Sequence, residues 1–481
     1  MNYKMMGRFI GQILMVEAVF MIPAAFISLG YGEYNAMWSF WVTIAATLLV
    51  SGVLQLICKG APSAFYAKEG LVCVGLSWIV LSIFGCLPFW LSREIPKYVD
   101  AFFEIVSGFT TTGASIVPEV EKLSHGILYW RSFSHWLGGM GVLVFLLAFT
   151  GENGSGFTLH LLRAESPGPD VGKLVPKMRT TAKILYVIYI VMTIINVLFL
   201  VFGKMPLFEA VCTALGTAGT GGLAIKNDSM ASYSPYLQNV TTVFMALFGI
   251  NFSCYYLLLL RQFKAVFKDE ELRLYIGIIL VAIVLIVLDV RDLYGSLGET
   301  IRHAAFQVSS IITTTGYASV DFDLWPTFSK TVLMCLMVVG GCAGSTAGGL
   351  KISRFLLLMK SLRRNIRQGL NPRKVQVVRN NGSAVSEKVL DNTNSYLAAY
   401  FVIMFAIFLI ISLDGYSIGT NFSAMLCTFN NVGPGFELVG PMRNFSIYSD
   451  LSTFVLSIGM LAGRLEIFPI LVLFSRSTWK R

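Results

Sequence analysis

Long stretches of apolar sequence, nearly free of charge, dominate this chain and leave the hydrocarbon of a bilayer as the solvent it must fold in. A run of about 18 or more such residues spans that hydrocarbon as a helix. Runs of this kind cover 9–29 (with Glu17 inside), 36–58, 70–91, 132–150, 184–203, 229–260, the shorter 274–288, 331–350, 395–413 and 451–474. Composition agrees. Of 481 residues 13% are charged, against about 25% in soluble proteins, and the mean hydropathy is +0.69. A soluble multidomain enzyme, a disordered chain and a basic nucleic-acid-binding protein are excluded. The expected fold class is an all-α integral membrane protein with ten transmembrane helices. The first run is long and no small-residue cleavage pattern follows it, so it reads as a span rather than a signal peptide.

The formal charge of +10, from 37 Lys and Arg against 27 Asp and Glu, reports topology rather than a polyanion partner. The N-terminus, 59–68, 163–183, 261–273, 351–388 and the C-terminus together carry 26 Lys and Arg; the alternate loops carry 10. Basic residues are retained on the cytoplasmic side. Both termini are therefore expected in the cytoplasm. The eight cysteines form no CxxC pair, and His125, His135, His160 and His303 show no HExxH spacing. Neither a disulfide framework nor a metal enzyme is indicated.

Four of the outward loops share one design. Each opens with about a dozen partly apolar residues, too short to span, and ends in a Gly-containing segment flanked by Thr or Asn. They read VDAFFEIVSGFTTTGAS (99–115), LFEAVCTALGTAGTGGLA (207–224), HAAFQVSSIITTTGYAS (303–319) and FSAMLCTFNNVGPGF (422–436). With an apolar helix on either side, the chain reads as a two-helix extension (1–68) and four repeats, 69–180, 181–268, 269–388 and 389–481. Non-helical backbone at membrane depth is tolerated only where it is buried or lines a water-filled cavity. Four re-entrant loops in pseudo-fourfold arrangement around one pore would ring it with carbonyl oxygens that replace the hydration shell of a monovalent cation. Ordinary turns are the bland alternative, but two near-identical TTTG copies in equivalent positions argue against it.

These motifs, with HWLGGMGVLVF (135–145), GGCAGSTAGGLK (340–351), FNNVGPGFE (429–437) and GRLEIFP (463–469), resemble the Trk/Ktr/HKT superfamily of potassium transporters, and its TrkH branch in particular. The resemblance covers essentially the whole chain. It implies potassium uptake across the bacterial cytoplasmic membrane by a homodimeric membrane subunit, with a cytosolic TrkA-type nucleotide-binding ring as partner and no organic cofactor. It places potassium on filter backbone carbonyls at Thr111, Thr112 and Gly113, at Thr314, Thr315 and Gly316, and at Asn431, Val432 and Gly433. The second repeat departs from the pattern. Gly219, Gly221 and Gly222 all qualify there, and matching Gly222-Leu223-Ala224 to Gly316-Tyr317-Ala318 favours Thr220, Gly221 and Gly222. A secondary symporter coupling potassium to protons or sodium is the alternative.

Five glycines in the ten residues from Gly340 to Gly349 should break the third repeat's second helix, since each costs about 1 kcal/mol against alanine in a helix interior. Close small-residue packing is the competing reading. The resemblance makes this segment, with Gly341, Gly344, Ser345, Thr346, Gly348 and Gly349, an intramembrane gate. Leu350 before Lys351 spoils the spacing of a nucleotide loop. Arg464 lies within a span, where a charge is expensive; it either projects into the cavity beneath the filter and repels cations or pairs with a carbonyl. Ten basic residues in 351–388, among them Arg363, Arg364, Arg367, Arg373 and Lys374, fit either anionic membrane lipids or a docked partner able to move the gate.

Overall fold

The computed structural model describes residues 1–60, 67–141, 178–373 and 376–479. Two long helices, α1 (Tyr3–Gly30) and α2 (Tyr34–Ile57), pack as an antiparallel pair. The same order then recurs four times: a long helix, a short helix, an extended segment and a second helix. Unit 1 comprises α3 (Ala67–Gly85) with its continuation α4 (Leu87–Leu91), the short α5 (Tyr98–Phe109) and α6 (His125–Met140). Unit 2 comprises α7 (Met178–Phe202), the short α8 (Leu207–Gly219), and α9 (Pro235–Phe248) with α10 (Phe252–Leu259). The turn helix α11 (Phe263–Lys268) leads into unit 3, made of α12 (Glu270–Val290), the short α13 (Leu297–Ile312), α14 (Thr327–Val339) and α15 (Ile352–Leu370). A two-stranded hairpin, β1 (Arg379–Asn380) and β2 (Ser383–Ala384), leads into unit 4: α16 (Glu387–Ile411), the short α17 (Ile418–Phe429), α18 (Asp450–Arg464), α19 (Phe468–Phe474) and α20 (Arg476–Trp479).

Six helices among the described residues are long and apolar enough to cross a membrane, and a seventh is reached if α9 and α10 count as one span. Their faces are sorted for hydrocarbon. Leu56, Phe202, Val402 and Leu409 are exposed, whereas Thr43, Thr47, Ser77 and Asn196 are buried. The buried hydroxyls turn back onto their own helices, as Thr43 Oγ1 does in donating to the Ser39 carbonyl at 2.8 Å, which removes the cost of an unpaired polar group.

The second helices of units 2, 3 and 4 are broken, the third where its glycine run predicts. The run 229–260 is not one helix: α9 and α10 meet at 90° across Gly249, Ile250 and Asn251. The run 331–350 is helical only to Val339, and 340–351 is irregular, as the glycine run predicts. The run 451–474 breaks after Arg464, where Glu466 and Ile467 take φ of 61° and 67°. In unit 1 the helix reaches Met140, and the remainder of the expected span 132–150 lies outside the described residues, as does Lys374.

The units close on one another in cyclic order. The Val120 amide donates to Asn227 Oδ1 at 2.9 Å between units 1 and 2. Met230 donates to the Ala318 carbonyl at 2.9 Å between units 2 and 3. Glu437 donates to Asp323 Oδ2 at 3.1 Å between units 3 and 4. Phe445 donates to the Ser115 carbonyl at 2.9 Å, returning from unit 4 to unit 1.

Candidate functional site

All four short helices end in the same way. Within two residues of the helix end the chain takes a left-handed conformation, with φ of 54° at Thr111, 54° at Thr220, 56° at Thr314 and 56° at Asn431. The amide one residue later reaches back five residues, from Thr112 to Ser107, Gly221 to Gly216, Thr315 to Ser310 and Val432 to Cys427, at 2.8–2.9 Å. This is the Schellman motif, in which glycine is the usual left-handed residue. Three threonines and an asparagine occupy that position here. For a β-branched residue the conformation is a genuine outlier; it recurs at a threonine in three units, with asparagine, which tolerates it, in the fourth.

Two residues further on stands a glycine, again with positive φ: 79° at Gly113, 72° at Gly222, 83° at Gly316 and 97° at Gly433. A Cβ on Gly113 would lie 2.0 Å from the Gly221 carbonyl oxygen, one on Gly222 1.9 Å from that of Thr315, one on Gly316 2.3 Å from that of Val432, and one on Gly433 2.6 Å from that of Thr112. The contacts run from unit 1 to 2, 2 to 3, 3 to 4 and 4 back to 1. Four backbones therefore meet around one axis, each glycine against its neighbour's carbonyl. In the second unit, 220–222 has the backbone of 111–113 and 314–316.

The irregular segment 340–351 lies against the base of this ring. Gly348 donates its amide to Thr314 Oγ1 at 2.6 Å. Thr346 Oγ1 donates to the Phe248 carbonyl at 3.2 Å. The break in unit 2 receives it: Cys342 donates to the Gly249 carbonyl and Phe252 to the Gly344 carbonyl, both at 3.0 Å. Gly341 and Ser345 sit within the same coil, and Gly349 passes the Gly340 backbone closely. Arg464, the last residue of α18, donates to the Thr346 carbonyl at 2.8 Å and to the Gly138 and Gly139 carbonyls at 2.6 and 2.9 Å. These carbonyl contacts gather around the segment 340–351 and the end of α6. One guanidinium joins units 4, 3 and 1. Glu466 turns away from it and pairs with Arg354.

The TrkH family, described as a cation transport protein, matches residues 36–480. The chain belongs to this family. The Trk system potassium uptake protein TrkH of Salmonella typhimurium is 34% identical over 487 residues, with all of both chains covered. The Trk system potassium uptake protein TrkG of Escherichia coli is 31% identical over 490 residues, covering 100% of this chain and 99% of that protein. The crystal structure of the potassium transporter TrkH from Vibrio parahaemolyticus superposes with a TM-score of 0.89 at 30% identity, covering 100% of each chain.

Within this TrkH-family chain, several buried polar residues around the ring make contacts that the sequence does not place. Glu104 and Arg131 form a fully buried ion pair, with Nε to Oε1 at 2.8 Å. Arg131 also donates to Ser115 Oγ and to the Ala224 carbonyl, both at 3.2 Å, so one pair fixes the segments leaving two strands. Glu271 accepts from the amides of Ala343 at 2.6 Å and Ser353 at 3.1 Å, clamping both ends of the glycine-rich segment. His135 touches the second strand directly. In sequence Glu104 suggests an anchor for its short helix and His135 opens the HWLGGMGVLVF segment, whereas Arg131 and Glu271 belong to no motif; only the fold supplies the partners of all four. Of the basic linker, Arg364 pairs with Glu387 at 2.7 Å and Lys360 with Glu270, which ties α15 to α16 and α12.

Proposed function

We propose that this chain is the potassium-conducting membrane subunit of a Trk-type uptake system of the bacterial cytoplasmic membrane. Potassium crosses through one pore on the axis of the four units, 69–180, 181–268, 269–388 and 389–481. Ten crossings, both termini in the cytoplasm, and the four short helices as re-entrant loops complete the topology. The observation that carries the reading is the cyclic contact of Gly113, Gly222, Gly316 and Gly433 with their neighbours' carbonyls. Carbonyl dipoles ringed in this way substitute for the water a monovalent cation gives up. Thr111–Gly113, Thr220–Gly222, Thr314–Gly316 and Asn431–Gly433 are the ion-binding segments. Thr and Asn in left-handed backbone hold successive peptide planes in place without a side chain entering the path.

The segment from Gly340 to Gly349 is the gate. It rests under the ring, is held by Arg464 and Glu271, and continues directly into the basic α15. A cytosolic nucleotide-binding ring of the TrkA type pulling on α15 would withdraw the gate; anionic lipids engage the same basic face. The functional assembly is a homodimer. Potassium flux into proteoliposomes, with sodium absent and pH equal on both sides, tests the conducting mechanism. Flux under the potassium gradient alone is expected; flux strictly dependent on a second ion gradient would replace the pore with a symporter.

A further inference from the structure

The four strands support their carbonyls with different side chains. The residue before each ring glycine is Thr112, Gly221, Thr315 or Val432. In units 1 and 3 its hydroxyl pairs at 2.7 Å with the threonine two residues earlier, Thr110 and Thr313. In unit 4 the buried Val432 fills the space. In unit 2 both positions are glycine, Gly219 and Gly221, and the room is taken from outside the unit. A Cβ on Gly221 would lie 2.1 Å from Nδ1 and 2.2 Å from Cγ of His135, while one on Gly219 would strike the His135 carbonyl oxygen at 2.2 Å.

His135, on α6 of unit 1, is fully buried. Its Nδ1 lies 2.8 Å from the Gly108 carbonyl oxygen, and the Leu223 amide lies 3.1 Å from Nε2. A carbonyl only accepts and an amide N–H only donates, so the ring is neutral with its proton on Nδ1. One imidazole thus links the end of α5 to the residue following the ring glycine Gly222.

We infer that His135 is a positioning residue for the second filter strand, setting the Gly221 carbonyl in the ring as Thr112, Thr315 and Val432 set their own. The inference rests on the reading of the ring as the potassium filter. The paired glycines that make unit 2 look irregular are then the imprint of a side chain lent by the neighbouring unit. With no side chain at 219, 221 or 222, that strand has the least support of its own. Removing the imidazole leaves the buried Leu223 amide without its acceptor, takes one of two donors from the Gly108 carbonyl, and opens a void beside Gly221.

The potassium-to-sodium permeability ratio of the reconstituted full-length protein tests this, compared among wild type, His135→Ala, Gly221→Val, the double variant and Gly316→Ala. His135→Ala should lower the ratio about tenfold, on the scale of one buried hydrogen bond left unmade, in protein that retains its melting temperature and elution profile. Gly221→Val should do the same by collision with the ring. The double variant places unit 4's valine in the vacated space and should discriminate better than either single variant. If His135→Ala does not fold, His135→Asn keeps a donor for Gly108, loses the Leu223 bond, and should still lower the ratio. An unchanged ratio in a folded His135 variant, or additive losses in the double variant, overturns the inference. Gly316→Ala separates the two layers. Selectivity lost there but kept in the His135 variants rejects this inference alone, whereas selectivity kept in Gly316→Ala rejects the filter reading beneath it.

Discussion

Thr111 sits in left-handed backbone with φ of 54°, fully buried, its hydroxyl without a hydrogen-bond partner among the described residues. Held there, a non-glycine residue stores about 1–3 kcal/mol. Thr111→Gly releases that strain and gives back about 0.5–1 kcal/mol through the more flexible unfolded chain. The variant should keep its melting temperature within a few degrees while losing discrimination between potassium and sodium. A large fall in melting temperature would mean that the residue serves stability. The glycines were legible from sequence because positive φ selects for them. The left-handed threonines were not, since a β-branched residue ordinarily prefers extended backbone and only the closed ring enforces the alternative. The bonds from Leu223 to His135 and from Ala343 to Glu271 were not legible for a related reason: the partners lie 88 and 72 residues apart along the chain.

At the scale of elements, the second helices of units 2, 3 and 4 are all broken, and sequence announced one break plainly. Five glycines in ten residues forbid an ordinary helix at 340–349. The bend at Gly249–Asn251 has a single glycine and depends on bonds from Cys342 and to Gly344. The break after Arg464 contains no glycine and accompanies the Glu466–Arg354 pair. The proposed gate is therefore a contact between two broken helices as well as a glycine-rich run. Glu271 clamps its two ends through one carboxylate oxygen. Glu271→Gln keeps an acceptor oxygen and should gate nearly as wild type. Glu271→Ala loses two charge-assisted bonds, each worth about 1.5–3 kcal/mol, and should raise unstimulated cation flux severalfold in proteoliposomes. Equal flux in both variants would free Glu271 of any part in gating.

The whole molecule is a closed ring of four unlike units, and its few charges accompany six helices, among the described residues, that are long and apolar enough to cross a membrane. The long apolar runs made a helical protein with several apolar helices legible, and the two TTTG copies pointed to a recurring loop design. The number of uninterrupted spans was not legible, because hydropathy is blind to a bend that neighbouring backbone stabilises. Arg464 shows what closure adds: its three carbonyl partners come from units 1 and 3, so its role belongs to the assembly and not to its own helix. Arg464→Ala should raise cation flux several-fold by releasing the Thr346 carbonyl from the Gly138 and Gly139 end of α6. Unchanged flux in folded protein would leave the arginine a structural tie.

The central claim is that Gly113, Gly222, Gly316 and Gly433 form one selective ring. Reversal potentials of the reconstituted protein, with potassium on one side and sodium on the other, test it most directly across the four single Gly→Ala variants. The ring predicts a shift toward zero in all four, because each added methyl strikes a neighbour's carbonyl. Wild-type potentials in any two folded variants would contradict a single fourfold filter.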